Sequence, residues 1–200
     1  MRNLLQINAS LFSDQGQSSQ LADQFVTELV RHHPDLQVTR RNLNSDPVPH
    51  LDGERFTAFI TKAEERSAEQ QAIVAYSDHL IAELKAADIL VLGVPMYNFG
   101  IPSSLKAYFD HIARTGLTFR YTDKGAEGLL TGKKAYIFAA RGGKYVGTDL
   151  DSQTNYLKTF LGFVGITDIE FVYAEGLNMG EETRNNALTR AREDASRLAA

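Results

Sequence analysis

The run Asp88-Ile89-Leu90-Val91-Leu92-Gly93-Val94-Pro95 is continuous, apolar and rich in branched residues. It lacks the polar alternation of a strand with one wet face, so it reads as a strand buried on both faces. Such a strand needs helices on either side of its sheet, and the sequence around it supplies them. Strand-like segments at 3–8, 36–43, 135–140 and 167–174 alternate with helical patterns. Leu21, Ala22, Phe25, Val26, Leu29 and Val30 recur at helical spacing, with Ser18 or Ser19 as the expected N-cap and Pro34 just past the end. A long helix is predicted over 67–86 and a shorter one through Leu105, Tyr108, Phe109 and Ile112. Two more run through Tyr156, Phe160, Phe163 and Val164, and over 181–198. Residues 44–66 are broken by Pro47, Pro49 and Gly53, with room for a short helix over 54–62, and residues 117–130 form an aromatic, strand-like excursion. Five strands with helical crossovers predict one doubly wound α/β domain over 1–200. Its parallel sheet has the order 2-1-3-4-5, with helices on both faces.

Composition removes several function classes. The chain of 200 residues has no Cys, which excludes disulfides, Cys-ligated zinc and Cys nucleophiles. With 21 Lys and Arg against 25 Asp and Glu and a net charge of -4, no basic cluster can track nucleic-acid phosphates. No apolar run approaches the ~20 residues needed to span a bilayer, and residues 1–8 read as a first strand rather than a signal peptide. The expectation is a cytoplasmic protein with no nucleic-acid or membrane partner. His32, His33, His50, His79 and His111 show no metal-site spacing. Ser103-Ser104-Leu105-Lys106 matches a penicillin-recognising motif without its companions, and it reads as a helix start.

In a doubly wound sheet, ligands sit outside the carboxyl ends of the strands, at the switch in strand order. Three loops meet there. The first, Ser10-Leu11-Phe12-Ser13-Asp14-Gln15-Gly16-Gln17-Ser18-Ser19, offers hydroxyls and backbone N–H groups at a helix N-terminus, which suits one terminal phosphate. It has neither the P-loop nor the dinucleotide glycine pattern, and taken alone it is equally an ordinary helix cap. The second, Pro95-Met96-Tyr97-Asn98-Phe99-Gly100-Ile101-Pro102-Ser103, is stiff and displays large apolar side chains. That suits a flat aromatic ligand, the alternative being a lid on the core. The third, Ala140-Arg141-Gly142-Gly143-Lys144-Tyr145, has paired glycines that allow close backbone approach, with Arg141 either pairing with an anion or lying on the surface.

At these loops the chain resembles the FMN-dependent NADH:azoreductases, part of a wider group of flavodoxin-like quinone reductases. Pro95-Met96-Tyr97-Asn98-Phe99, Leu105-Lys106-Ala107-Tyr108-Phe109-Asp110 and Gly116-Leu117-Thr118-Phe119-Arg120-Tyr121-Thr122 carry the resemblance. So do Arg141-Gly142-Gly143 and Phe160-Leu161-Gly162-Phe163-Val164-Gly165. The resemblance implies a flavodoxin-like fold and a homodimer with FMN at two interface sites. It also implies NADH or NADPH as co-substrate, and quinones or azo compounds reduced in two half-reactions. By position, Ser10, Gly16, Gln17 and Ser18 would hold the phosphate. Pro95, Met96, Tyr97, Asn98 and Phe99 would line the ring, and Ala140, Arg141, Gly142, Gly143 and Tyr145 would border its pyrimidine edge. Asn98 and Phe99, with Tyr121 and Phe163 as aromatics contributed by the partner chain, would wall the substrate pocket. No side chain is assigned as acid or base, since the flavin carries the chemistry. Two departures stand out. Gly16 and Ala140 occupy positions where relatives often have Ser, removing two hydroxyls from the expected shell. Ile60 stands near where some relatives place a pocket Arg. The rival readings are an electron-carrier flavodoxin, usually more acidic than this chain, and a flavin- or quinone-sensing protein. The family has also carried the label of an acyl-carrier-protein phosphodiesterase, which no nucleophile or metal cluster in this sequence supports.

Overall fold

A computed structural model describes residues 2–200. Five strands, β1 (Asn3–Asn8), β2 (Gln37–Asn42), β3 (Ile89–Pro95), β6 (Lys134–Ala140) and β7 (Asp168–Ala174), form one sheet in the order β2-β1-β3-β6-β7. All its pairings are parallel. Counting only these strands, the order is 2-1-3-4-5. The chain leaves β1 outward to β2, then crosses back to β3, so the switch point lies between β1 and β3. The remaining two strands, β4 (Phe119–Thr122) and β5 (Gly125–Gly128), pair with each other as an antiparallel hairpin outside the sheet. The sequence marked that hairpin only as a strand-like excursion.

Side chains alternate between two cores, as the period of two in a strand requires. Leu4 and Val91 face one side with Phe138 and Val172, under α1 (Gln17–His32) and α6 (Glu181–Ala199). Leu5, Ile7, Leu90 and Leu92 face the other, under α3 (Ala68–Ala86), α4 (Ser103–Ile112) and α5 (Ser152–Phe163). Phe25 of α1 is fully buried and packs on Tyr136 and Phe138 with centroids at 4.6 and 5.3 Å. Truncating it would remove a ring worth about 3–5 kcal/mol.

Local signals place the helices. Asp52 caps α2 (Gly53–Ile60) by accepting from the Arg55 N–H at 2.8 Å. Ser67 and Gln70 form a reciprocal capping box on α3. The expected cap of α1 is corrected: the helix starts at Gln17, its N-cap is Gly16, and Ser18 and Ser19 lie inside the first turn. Serine was favoured because its side chain caps well, but here both serines are buried within the helix. The hairpin docks on the turn after α5, with Leu130 N–H donating to Val164 O at 2.9 Å. A β-carbon on Gly128 would fall 2.0 Å from Gly165 N, so the two backbones meet where only glycine fits. Among the described residues no helix is long and apolar enough to cross a membrane.

Candidate functional site

The three loops singled out in the sequence converge at the carboxyl ends of β1, β3 and β6. In the first, Ser10 is buried and its Oγ accepts from Phe12 N–H at 3.1 Å. A β-carbon at Gly16 would lie 2.1 Å from that Oγ and 2.5 Å from Ser10 Cβ. The missing side chain at 16 is thus a steric requirement of this loop conformation, with Ser10 filling the space. No side chain caps α1, so its first N–H groups stay free. The Ser18 and Ser19 hydroxyls are buried and have no hydrogen-bond partner among the described residues. Leaving such a donor unsatisfied costs about 1–3 kcal/mol.

The second loop is a tight reversal. Tyr97 and Gly100 exchange N–H···O bonds at 3.1 and 3.0 Å. Between them Asn98 and Phe99 adopt φ of 50° and 65°. Paired positive φ values are the signature of a I′ turn, usually built from Asn and Gly. A phenylalanine in this region is strained by roughly 1–2 kcal/mol. The turn presents Phe99 at the surface with its ring edge-on to Tyr145, centroids 5.6 Å apart. Leu11 N–H donates to Tyr97 Oη at 3.3 Å, tying this loop to the first.

The third loop corrects the reading of Arg141. Its side chain is wholly buried and neither meets an outside anion nor lies on the surface. Nε donates to Gln153 Oε1 at 3.1 Å, Nη2 to Thr154 Oγ1 at 2.8 Å and Nη1 to Glu175 Oε1 at 3.0 Å. Asp151 adds a second ion pair at 3.0 Å. Burial raises the Asp151 carboxyl, but the Thr154 N–H and the Arg141 guanidinium outweigh it and hold the group below its ordinary value. Glu175 also accepts from the N–H groups of Tyr145 and Val146, at 2.9 and 3.1 Å. Its backbone N–H is engaged as well, donating to Ala174 O at 2.9 Å. The loop after β7 zips onto this one, with Leu177 N–H on Arg141 O at 3.1 Å and Asn178 N–H on Gly142 O at 3.0 Å.

Together the loops border an open cavity of about 250 Å³. Of the residues expected at a site, Ser10, Gly16 and Gln17 line it from the first loop, Pro95, Met96 and Tyr97 from the second, and Ala140, Arg141 and Gly142 from the third. Ser18, Asn98, Phe99, Gly143 and Tyr145 adjoin these loops without lining the cavity. Phe12, Leu177, Asn178 and Arg184 also line it and were not singled out in the sequence. Leu177 and Asn178 follow β7, whose carboxyl end lies beside that of β6, and the strand-end rule applied to a fourth loop would have found them; Arg184 stands in α6. Tyr121 and Phe163 are not brought to this cavity. Phe163 closes α5, whose first residue, Ser152, donates to Phe99 O. A helix of 12 residues separates its two ends by about 18 Å. Phe163 instead packs on Phe119 at 4.3 Å, and Phe119 meets Tyr121 at 5.5 Å. Phe119 is buried, while Tyr121 stays 72% exposed.

A larger hollow of about 770 Å³ opens at the amino ends of the strands, beside Arg2, Lys133, Lys134 and Asp168. Its two lysines are already engaged: Lys133 Nζ donates to the carbonyls of Lys85 and Ala87, and Lys134 pairs with Asp168 at 2.7 Å. Among the described residues no group of three or more His, Asp or Glu could hold a metal ion.

An uncapped helix start and an aromatic turn, facing one crevice at the strand switch of a five-stranded parallel sheet, define an α/β protein built for a flat ligand with an anionic end. The family model for the flavodoxin-like fold matches residues 2–199. The chain belongs to that family, in the branch of its FMN-dependent NADH:quinone oxidoreductases and azoreductases. It is 59% identical over 182 residues to a protein of Cellvibrio japonicus named FMN-dependent NADH:quinone oxidoreductase, covering 91% of this chain and 92% of that one. A Burkholderia pseudomallei protein of the same name is 56% identical over 193 residues, covering 96% and 98%. Among solved structures, an FMN-dependent NADH-azoreductase from Bacillus anthracis in complex with FMN superposes with a TM-score of 0.89 at 31% identity, covering all of both chains.

Proposed function

We propose that the chain, as one domain over 1–200, binds FMN non-covalently in this cavity and uses NADH to reduce quinones and azo compounds. The site fits the cofactor by its own chemistry. The observation that carries the reading is the uncapped start of α1, where the Ser18 hydroxyl is buried and unpaired next to Gly16 and Gln17 of the cavity lining. Ser10, Gly16, Gln17 and Ser18 would hold one phosphate. Pro95, Met96, Tyr97, Asn98 and Phe99 would flank the ring, and Ala140, Gly142, Gly143, the Arg141 backbone and Tyr145 would border its far edge. FMN, when bound, supplies the group that accepts and donates hydride.

The protein's part is to bind, orient and exclude. Met96 and Tyr97 line one side of the cavity, and Ala140, Arg141 and Gly142, their carbonyls fixed by hydrogen bonds from Met96, Leu177 and Asn178, line another. NADH and the acceptor use this crevice in turn. Protons for the product come from solvent. The cavity is smaller than the roughly 300–1,000 Å³ of enclosed ligand sites, and Leu11, Phe12 and Phe99 are exposed on the same loops. A second copy of the chain covers this face, bringing Tyr121 and Phe163 of its far end to the pocket. Relatives named as oxidoreductases support turnover over passive electron carriage.

The test is a flavin titration. Flavin-stripped protein should bind one FMN per chain more tightly than FAD, because the first loop serves a single terminal phosphate. Equal or tighter binding of FAD would overturn the phosphate assignment.

A further inference from the structure

The turn at Asn98 and Phe99 is held against its own backbone preference, and what holds it stands on α5. Ser152 Oγ donates to Phe99 O. Gln153 Nε2 donates to Pro95 O at 2.9 Å and to Gly100 O at 3.3 Å, the two ends of the turn segment. Oε1 of the same carboxamide accepts from Arg141 Nε at 3.1 Å. Gln153 is completely buried. The helix does not need it as a cap, since Asp151 already accepts from Thr154 N–H at 3.0 Å. Burying a carboxamide is costly unless each of its groups is paired, and an apolar side chain of that size would pack more cheaply. Here every function of the amide is spent on joining the second loop to the third.

We propose that Gln153 is a positioning residue of the flavin site: it transmits the fixed placement of Arg141 to the carbonyls of Pro95 and Gly100, and so holds the strained turn in its ligand-facing conformation. The inference rests on the reading of the site given above. Arg141 is the anchor, fixed by Asp151, Glu175 and Thr154, and Gln153 is the strut. Without the strut, Asn98 and Phe99 relax toward negative φ, and the loop no longer meets the ring in one geometry. A misplacement of about 1 Å in a group that orients a reactant can cost up to about a hundredfold in rate.

The experiment uses Gln153→Met, similar in size but without a donor, and Leu157→Ala, a core truncation on the same helix. The first readout is amide hydrogen exchange in the flavin-free protein. Protection of the Tyr97 and Gly100 amides should fall about tenfold in Gln153→Met and less than about twofold in Leu157→Ala. The second is turnover after FMN loading, where kcat should fall about tenfold in Gln153→Met and hold within about twofold in Leu157→Ala. The proposal is overturned if Gln153→Met keeps both protection and kcat, or if Leu157→Ala reproduces its losses. If Gln153→Met does not fold, Gln153→Glu decides by the same readouts. Its carboxylate still accepts from Arg141 but donates nothing to Pro95 or Gly100. Because exchange is read without flavin, a wild type that fails to bind FMN would defeat the reading of the site and leave the strut measurable.

Discussion

Arg141 shows what a single position can hide. In the sequence it is a loop cation beside two glycines, the pattern of an anion ligand. In the structure it is an interior charge whose partners, Asp151 and Glu175, lie 10 and 34 residues away. Local sequence cannot display such distant pairing, which is why the side chain's partners were not legible. Gly16 is the converse: it looked like a lost hydroxyl, and the reason for it is the Ser10 side chain in its space. Removing one member of a buried ion pair is expensive because the other charge stays behind. Arg141→Met should lower unfolding free energy by about 3–5 kcal/mol in urea titrations. The pH dependence has a definite sign. Asp151 has its folded value depressed below 3.8. Its contribution is therefore complete above that value and lost as pH falls through the lower folded one. In Arg141→Met the carboxyl loses a stabilising charge and its folded value rises toward the unfolded one, so this acid-linked loss should shrink. A variant within about 0.5 kcal/mol of wild type would contradict the anchor role.

At the scale of elements, periodicity did most of the work. The buried parallel strands announce themselves as apolar runs, and β1, β3, β6 and β7 fall close to where the sequence places them. The hairpin was less legible because β5 is Gly-Ala-Glu-Gly and carries almost no strand pattern; backbone contact with Gly165 positions it instead. In the segment 44–66, broken by Pro47, Pro49 and Gly53, the short helix expected over 54–62 is present as α2, and it is held by tertiary contacts. Phe59 lies under the Arg114 guanidinium, 4.4 Å from ring centroid to Cζ, and edge-on to His111 at 5.8 Å. His111 is fully buried, its Nδ1 is 3.0 Å from Ala107 O, and Tyr76 of α3 closes the other side at 6.0 Å. Burial pushes its pKa below the ordinary 6.5, opposed by the Ala107 carbonyl and by Asp110 and Asp52 and reinforced by Arg55. The unfolded chain therefore takes up this proton at a higher pH than the folded one. The contribution of neutral His111 is complete above 6.5 and declines as pH falls below it toward the folded value. Thermal unfolding should show a drop in Tm between about pH 7 and pH 5.5 that is smaller in His111→Gln. An equal drop in both proteins would contradict the assignment.

Taken as a whole molecule, the chain leaves its candidate site half walled. The three loops were legible because fold and strand-end chemistry agree on them. The fourth, after β7, was overlooked because Leu177 and Asn178 carry no chemical signature of their own. Tyr121 and Phe163 sit about a helix length from the cavity of their own chain, so the reading that they serve a flavin pocket requires a second copy. Light scattering should find a symmetric dimer at assay concentration, and Tyr121→Ala should change the acceptor KM or kcat more than the FMN affinity. An active, FMN-loaded monomer would reject the shared pocket. The central claim is that donor and acceptor use one flavin site in turn. An anaerobic two-stage mixing experiment tests it most directly. NADH alone should bleach the flavin absorbance of the FMN-loaded protein in a single fast phase, and a simple quinone added afterwards, with no NADH left, should restore it. If NADH leaves the absorbance unchanged until quinone is present, the alternating use of one site is contradicted.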